Sequence, residues 1–226
     1  MSEPDDAGVL RARGLRVDGS PLPLLEPTDL VVAQGHRVLV AGDPGHGHTA
    51  LALALAGRLR TDGGTVGIDG RTGDDRLRRA VALVDVPGVS EPDGVLPLAT
   101  LVGEELALAG RRAGRPAVAD WLAAEGLADL ARTPLEALPG GVRTTVLSRL
   151  AAARAGVRVL VLTVPDRFGT PPPVWWHLAG ELALAGFAVV VTCTTTSAHV
   201  LAAAGLLGPD ADVVPLGGAS LDVLAG

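Results

Sequence analysis

A glycine-rich turn between two apolar runs constrains the fold of this chain more than any other stretch. Residues 36–41, before the turn, have the composition of a buried strand, and the alanines and leucines of residues 50–59 predict a helix. The intervening Gly42 and Gly47 have the spacing of the pattern G-x-x-x-x-G-K-[ST], in which backbone N–H groups and a helix N-terminus surround a phosphate. The sequence therefore predicts a strand–loop–helix unit of the P-loop type.

The lysine of that pattern is missing. His48 stands at its position, Thr49 keeps the hydroxyl position, and the 226-residue chain contains no lysine. Histidine is shorter than lysine and mostly neutral near pH 7. Losing a charge-assisted contact costs about 1.5–3 kcal/mol, which lowers affinity by about one to two decades. We therefore expect either weak nucleotide binding at this loop or a turn that serves only the fold.

The candidate nucleotide-binding residues are the nine consecutive residues of the turn: Gly42, Asp43, Pro44, Gly45, His46, Gly47, His48, Thr49 and Ala50. The alternating His46 and His48 offer a second hypothesis, a metal site. Such a site normally needs three or four protein ligands, and no third ligand is evident in the sequence. We therefore predict no metal-binding residue.

Composition disfavours several classes of function. The net charge is −6 and no basic patch stands out, so nucleic-acid binding is not expected. The single cysteine, Cys193, excludes an internal disulfide framework and fits a reducing compartment. Residues 1–6 are acidic without the apolar core of a signal peptide, and no uninterrupted apolar run reaches membrane-spanning length. We expect a cytoplasmic protein with no direct membrane insertion.

Apolar runs with strand character alternate with helix patterns along the rest of the chain. The runs at residues 81–84, 157–163 and 187–192 suit a parallel sheet, because they are predominantly apolar and can be buried on both faces. Helix patterns at residues 100–112 and 117–131 follow each other without a strand between them, which indicates an inserted helical subdomain. The sequence therefore predicts an α/β fold whose parallel sheet is covered on both faces.

Several segments, taken in order, resemble the nucleotide-binding domain of ATP-binding-cassette (ABC) transporters. The matching segments are residues 42–50 for the Walker A loop, 62–70 for the stretch S-G-x-v-x-i-d-G, 134–141 for the approach to the signature L-S-G-G-Q, 149–154 for the helix after it, and 157–165 for Walker B. No single segment is specific, but their order and spacing are, and they span about residues 9–215.

The resemblance implies a P-loop NTPase-like three-layer core with a parallel sheet, an N-terminal antiparallel β subdomain and an inserted helical subdomain at about residues 98–142. It implies a single ABC ATPase-like domain over residues 1–226. It also implies a sandwich dimer, in which each ATP lies between the Walker A loop of one subunit and the signature of the other. The expected partners are a paralogous ABC ATPase subunit, an integral membrane permease, or both, and a permease would hold the protein at the inner face of the cell membrane.

The residues that perform hydrolysis in the resembled family are replaced. Walker B of that family ends in Asp-Glu-Pro, where the aspartate assists Mg²⁺ and the glutamate is the base toward the attacking water. Thr163 and Val164 stand at those two positions, and Cys193 stands at the position of the switch histidine. Valine can neither accept a proton nor orient water. We therefore predict no catalytic residue and do not expect a well-formed Mg²⁺ site.

Other family positions carry different residue types as well: Val86 near the Q-loop glutamine, Val17 and Asp18 at the adenine-stacking aromatic, Pro139 at the signature serine and Val142 at the signature glutamine. Gly140 and Gly141 of the signature remain. This chain could therefore lend their backbone amides to an ATP molecule held by a competent partner.

These replacements predict a degenerate ABC transporter ATP-binding subunit that is deficient in hydrolysis. It would act through weak nucleotide binding, through a competent ATPase or permease partner, or through both, and its cofactor would be ATP, bound weakly or not at all. One alternative is a functional ABC-type ATPase in which Asp85 or Asp166 replaces the lost carboxylates. A second is a structural protein-interaction scaffold anchored by Trp175 and Trp176, although we expect one tryptophan in the core and the other over a surface groove.

Overall fold

The computed structural model describes residues 7–207 and 213–217. The acidic segment 1–6, where no signal-peptide core is expected, lies outside the described residues. The strands are β1 (Val9–Val17), β2 (Leu25–Ala33), β3 (Arg37–Ala41), β4 (Gly63–Ile68), β5 (Arg71–Thr72), β6 (Val81–Val84), β7 (Val159–Thr163), β8 (Ala188–Cys193) and β9 (Val213–Pro215). The helices are α1 (His48–Leu55), α2 (Asp74–Ala80), α3 (Leu98–Leu108), α4 (Arg115–Ala124), α5 (Gly140–Ala152), α6 (Pro172–Leu184) and α7 (Thr195–Ala203).

A parallel sheet forms the centre of the described part of the chain, with the strand order β6–β7–β8–β3–β9. Each pair of neighbouring strands in it runs parallel. Along β7, Val159 and Val161 pack into the core on one face of the sheet, while Leu160 and Leu162 pack into the core on the other. Because both faces are buried, these strands are predominantly apolar, as predicted, and Arg37, Thr163 and Thr192 lie at or next to strand ends.

An antiparallel sheet with the order β2–β1–β4–β5 lies over one face of the parallel sheet, together with α1 and α2. Leu10 and Ala12 of β1 and Ile68 of β4 are buried in the core between the two sheets, while Arg13 is exposed. This alternation is typical of a sheet with one solvated face. The predicted N-terminal antiparallel β subdomain is confirmed.

Helices α3 and α4 follow β6 and precede α5, so they form the predicted helical insertion. Their buried side chains, among them Leu101 and Leu122, join the core cluster that covers the second face of the parallel sheet. Val146 and Leu150 of α5 belong to the same cluster, so this helix connects the insertion to the sheet. Within the described ranges, no helix is long and apolar enough to cross a membrane.

Some predicted element ends are wrong. Helix α1 begins at His48, inside the predicted turn, and ends at Leu55 rather than at residue 59, because Gly57 turns the chain with a φ of +63°. Helix α4 ends at Ala124 rather than at residue 131, because Gly126, just after its end, has a φ of +69°. Glycine adopts this left-handed conformation at little cost and often ends helices, which explains both stops.

Candidate functional site

The candidate site is a cavity of about 840 Å³ at the carboxyl edge of the parallel sheet. Strands β3, β7 and β8 end at this edge, and the segments that follow them contribute the glycine loop, Val164 and Thr194 to the lining. Ligands of open α/β sheets bind outside the carboxyl ends of the strands. The fold therefore places the predicted loop where a ligand site is expected.

The glycine loop bends tightly before α1. Gly45 and Gly47 have φ angles of +94° and +97°, and Gly47 is the N-cap of the helix. A Cβ atom on Gly47 would collide with the backbone oxygen of Leu24, whereas one on Gly45 would meet no atom within 4 Å. The first N–H groups of an α-helix lack intrahelical acceptors, so the N-terminus of α1 offers donors to a ligand in this cavity.

Six of the nine predicted residues line the cavity: Pro44, Gly45, Gly47, His48, Thr49 and Ala50. The other three make contacts within and behind the loop. The carbonyl of Gly42 accepts a hydrogen bond from His48, and Nδ1 of His46 accepts one from the N–H of Asp43 at 3.1 Å. The two histidines thus bond to different backbone groups. Across the described ranges no cluster of three or more His, Cys, Asp or Glu residues has the geometry of a metal site.

His48 lines the cavity although its residue is only 7% exposed. Its Nε2 lies 2.9 Å from the carbonyl oxygen of Gly42, and because a carbonyl only accepts, Nε2 must carry the hydrogen. Nδ1 is buried and has no hydrogen-bond partner among the described residues. Burial lowers the pKa of His48, against smaller raising effects of the Gly42 hydrogen bond and of nearby Asp166. The side chain at rest is therefore a neutral imidazole with an unpaired acceptor.

Aliphatic side chains form another part of the lining: Pro23, Leu24, Leu53 and Leu59. Among the described residues no aromatic side chain lines the cavity. Val17 is buried in the core and Asp18 is exposed beside Arg16, so neither takes the place of a stacking aromatic. Sequence reasoning missed the aliphatic lining, for which the proline-rich segment 19–23 was the available signal.

The segment after β7 brings no free carboxylate at the Walker B positions. Thr163 is 2% exposed, and its hydroxyl has no hydrogen-bond partner within the described part of the chain. Val164 lines the cavity in a left-handed conformation with a φ of +48°. A β-branched side chain is strained there by roughly 1–2 kcal/mol. Its backbone N–H donates to Thr192 O at 3.0 Å, which helps hold this turn in place.

Asp166, a candidate replacement carboxylate, accepts hydrogen bonds from residues at the N-terminus of α7. Its Oδ2 accepts hydrogen bonds from the N–H of Thr194 at 3.0 Å, from the hydroxyl of Thr194 at 2.7 Å and from the hydroxyl of Ser197 at 2.6 Å. Its Oδ1 is buried without a hydrogen-bond partner among the described residues. These contacts hold Oδ2 against the N-terminus of the helix rather than leaving it free in the cavity.

Asp85, the other candidate, is 7% exposed and bonded to two arginines. Arg143 of α5 donates to both carboxylate oxygens, at 2.9 and 2.8 Å. Arg167 lies 3.1 Å from Asp85 Oδ1 and donates to the backbone carbonyls of Asp85 and Thr163, at 2.6 and 2.9 Å. Both guanidinium groups also lie against the ring of Phe168, 4.3 Å (Arg143) and 4.4 Å (Arg167) from its centre. The carboxylate is therefore part of a structural network.

The lining residue that Mg²⁺ would bind in a P-loop site is Thr49, through its hydroxyl. This ion is normally held by one or two carboxylates together with water and phosphate oxygens. Thr163 and Val164 offer no carboxylate at the Walker B positions, and Asp85 and Asp166 are held by the contacts described above. Cys193, at the switch position, is fully buried, and burial raises the pKa of its thiol, so it offers no charged group to a phosphate.

Gly140 and Gly141 begin α5 beside a second cavity of about 580 Å³. A Cβ atom on Gly140 would collide with the hydroxyl of Thr170 and lie 2.8 Å from Cβ of Phe168. One on Gly141 would lie 3.1 Å from Val174 Cγ1. Close packing thus accounts for the glycine at position 140, and both glycines line the second cavity.

Trp175 and Trp176 are both buried, at 0% and 2% exposure. The indole N–H of Trp176 donates to Leu206 O at 3.1 Å, and the guanidinium of Arg37 lies 4.0 Å from its ring. The hypothesis of an exposed tryptophan anchor is wrong, because both rings belong to the core. The expectation that one of them covers a surface groove is also wrong.

Comparison with known proteins points to one family. No protein-family model matches the chain. Over 170 residues it is 34% identical to the cytochrome c biogenesis ATP-binding export protein CcmA of Xanthomonas campestris, covering 74% of this chain and 70% of that protein. It is 33% identical to the hemin import ATP-binding protein HmuV of Streptomyces coelicolor, over 80% of this chain and 67% of that protein. A solved ATP-binding subunit of an ABC transporter superposes with a TM-score of 0.61 at 18% identity, over 96% of this chain and 98% of that one, and so shares its fold.

Proposed function

Because the chain belongs to the ATP-binding subunits of ABC transporters, we propose that it is a degenerate member that binds ATP weakly, does not hydrolyse it, and acts through a partner. The observation that carries this proposal is the state of the carboxylates near the cavity. Thr163 and Val164 stand at the positions of the Mg²⁺-assisting aspartate and of the base, and Asp85 and Asp166 are held in other networks. No carboxylate in the described part of the site is placed to activate water.

Weak ATP binding at the glycine loop is supported by backbone geometry rather than by charge. The loop and the N-terminus of α1 retain the shape that surrounds a phosphate, and the cavity of about 840 Å³ is large enough for a nucleotide. Against this, a neutral His48 replaces a permanent cation. Arg167, the arginine in the lining, is committed to Asp85 and Glu91. We expect dissociation constants for ATP in the high micromolar to millimolar range, on the order of 10–100 times weaker than with a lysine.

The partner is a membrane permease, a competent paralogous ATPase, or a complex of both. The first turn of α5 is accessible beside its cavity, so Gly140 and Gly141 can present backbone amides to ATP held by another subunit. A homodimer would carry two defective sites, whereas a heterodimer would carry one site with competent residues. Bound to a permease, the protein would lie at the inner face of the cell membrane.

Hydrolysis is tested with the purified chain, saturating ATP and Mg²⁺. We expect turnover at the background rate, unchanged by Asp166→Ala. The positive control is the triple variant His48→Lys, Thr163→Asp and Val164→Glu, which restores the missing residue types in place. Turnover by the natural chain that falls on Asp166→Ala would establish the alternative, a working ATPase with atypical residues.

The partner is tested by purifying the tagged chain from native membranes after mild crosslinking. We expect recovery of a permease or of an ABC ATPase with intact Walker motifs. Gly141→Asp, which puts a negative charge at the N-terminus of α5 near a partner's ATP, should weaken recovery of the ATPase in the presence of ATP. Recovery of the chain as a lone monomer would refute the partner half of the proposal.

A further inference from the structure

Two residues of the glycine-loop cavity lining, His48 and Asp166, which we call its floor, carry buried polar atoms that can only accept hydrogen bonds. Nδ1 of His48 and Oδ1 of Asp166 are both buried, and neither has a hydrogen-bond partner among the described residues. A neutral imidazole nitrogen without hydrogen and a carboxylate oxygen can only accept. A phosphate oxygen also accepts, and each buried polar group left unpaired costs about 1–3 kcal/mol. An anion beside these two atoms is therefore poorly matched, although the backbone N–H groups of α1 and the hydroxyl of Thr49 are available elsewhere in the lining.

A single proton on His48 would change that match. Nε2 already donates to the carbonyl of Gly42 at 2.9 Å, so the added proton can go only to Nδ1. The imidazolium then donates from both nitrogens, and the hydrogen bond to Gly42 that holds the ring remains. The chain has no lysine, and Arg167 is engaged elsewhere, so His48 is the side chain of this lining best able to become a new cationic donor.

We infer that an oxyanion bound at the glycine loop is bound together with a proton, and that His48 holds this proton on Nδ1. The inference rests on the proposed nucleotide binding and states how the same site is regulated: the triphosphate of a nucleotide binds here as a proton-linked ligand. Acidification would strengthen binding, whereas a lysine-containing loop would bind almost independently of pH between 6 and 8.

The charged groups that face His48 act in both directions. Asp166, on the segment after β7, favours the imidazolium, and His46, on the loop itself, disfavours it. Burial is the largest effect and lowers the pKa of His48 in the free protein. An adjacent phosphate favours the charged form, so the pKa in the complex is higher than in the free protein. Proton uptake on binding then makes affinity rise as the pH falls between these two values, by up to about tenfold per pH unit.

The experiment measures ATP binding by calorimetry from pH 6.0 to 8.0 at constant ionic strength, with EDTA to remove divalent cations. His48→Gln is the matched variant, because its amide N–H can still donate to Gly42 O while its side chain does not titrate. His48→Lys supplies a permanent cation, and His177→Gln removes an exposed histidine (82% exposed side chain) on α6. ATP itself takes up a proton in this range, so the informative quantity is the ratio of wild-type to His48→Gln affinity. Nitrogen-15 NMR of the imidazole reads the protonation of His48 directly.

We expect the ratio of wild-type to His48→Gln affinity to rise by up to about tenfold per pH unit on acidification. The ratio of His177→Gln to His48→Gln affinity should rise equally, and the ratio of His48→Lys to His48→Gln affinity should change little. The NMR signals of saturated protein should show both ring nitrogens of His48 protonated. Parallel pH profiles for wild type and His48→Gln, or a neutral His48 ring in the saturated complex, would overturn this inference and leave weak nucleotide binding intact. No ATP binding by the natural chain at any pH would overturn both, whether or not His48→Lys binds.

Discussion

Replacing Arg143 by methionine tests whether the buried Asp85 network stabilises this protein as strongly as its geometry indicates. Arg143 makes two hydrogen bonds to Asp85, at 2.9 and 2.8 Å, and both side chains are less than a tenth exposed. Removing one partner of a buried ion pair costs about 3–5 kcal/mol, because the other charge stays buried. Arg167, 3.1 Å from Asp85, retains part of the pairing, so the lower end applies, about 3 kcal/mol. For a chain of this size, that corresponds to a melting temperature lower by roughly 6–12 °C.

Urea unfolding followed by tryptophan fluorescence measures this loss, since Trp175 and Trp176 are buried in the native state. The matched control is Arg78→Met on α2, whose ion pairs are solvent-exposed and should contribute less than about 1 kcal/mol. Adding Asp85→Asn to Arg143→Met removes the stranded charge and should restore part of the stability. A loss below about 1 kcal/mol for Arg143→Met, or one equal to that of Arg78→Met, would refute the structural role assigned to this network.

Three further predictions follow from single positions. In thermal unfolding, Gly47→Ala should destabilise the protein by at least about 2 kcal/mol and Gly45→Ala by about 1 kcal/mol. Both glycines have positive φ angles, but only position 47 lacks room for a Cβ atom. Equal losses of stability would contradict the steric argument. Cys193 should resist thiol reagents at pH 8 in the native protein and react fully in guanidinium, because burial raises the pKa of its thiol. Fast labelling of the native protein would show that β8 is accessible to solvent. The hydrogen bond from Arg158 lowers the pKa of Asp69. The stability that this pair contributes is therefore complete above the ordinary pKa of aspartate and is lost as the pH falls below that value. Asp69→Asn should make the melting temperature less sensitive to acid, and an unchanged dependence on pH would refute this contribution.

A related stability effect concerns His48 in the absence of any ligand. Burial lowers its pKa, so the unfolded chain binds this proton more readily than the folded one. Stability is therefore unaffected by this side chain above its pKa in the unfolded chain, about 6.5, and falls as the pH drops below that value. His48→Gln should therefore lose less stability than the wild type between pH 7 and pH 5 in urea unfolding. A larger loss in the variant would mean that the imidazolium is stabilised in the free protein.

The class of fold followed from local patterns in the sequence. Residues 81–84, 157–163 and 187–192 are predominantly apolar, with Arg158, Thr163 and Thr192 as exceptions, and such runs are typical of strands buried on both faces, so the central parallel sheet could be predicted. The spacing of Gly42 and Gly47 between a strand and a helix likewise indicated the loop, because the required backbone conformation is a property of a short segment. Element ends were less predictable, as α1 shows, because they depend on which glycine adopts a positive φ.

The chemical state of the site was decided by tertiary structure alone. The sequence contains Asp85 and Asp166 near the lost carboxylate positions, and nothing local shows that Arg143, 58 residues away, holds the first or that the α7 N-terminus holds the second. The tautomer of His48 depends in the same way on the carbonyl that its ring reaches in the folded loop. A side chain's chemistry is set by its partners and its burial, and both come from segments that are distant in sequence. Residue types therefore showed which groups this chain had lost, while the folded structure showed which of the remaining groups were free to replace them.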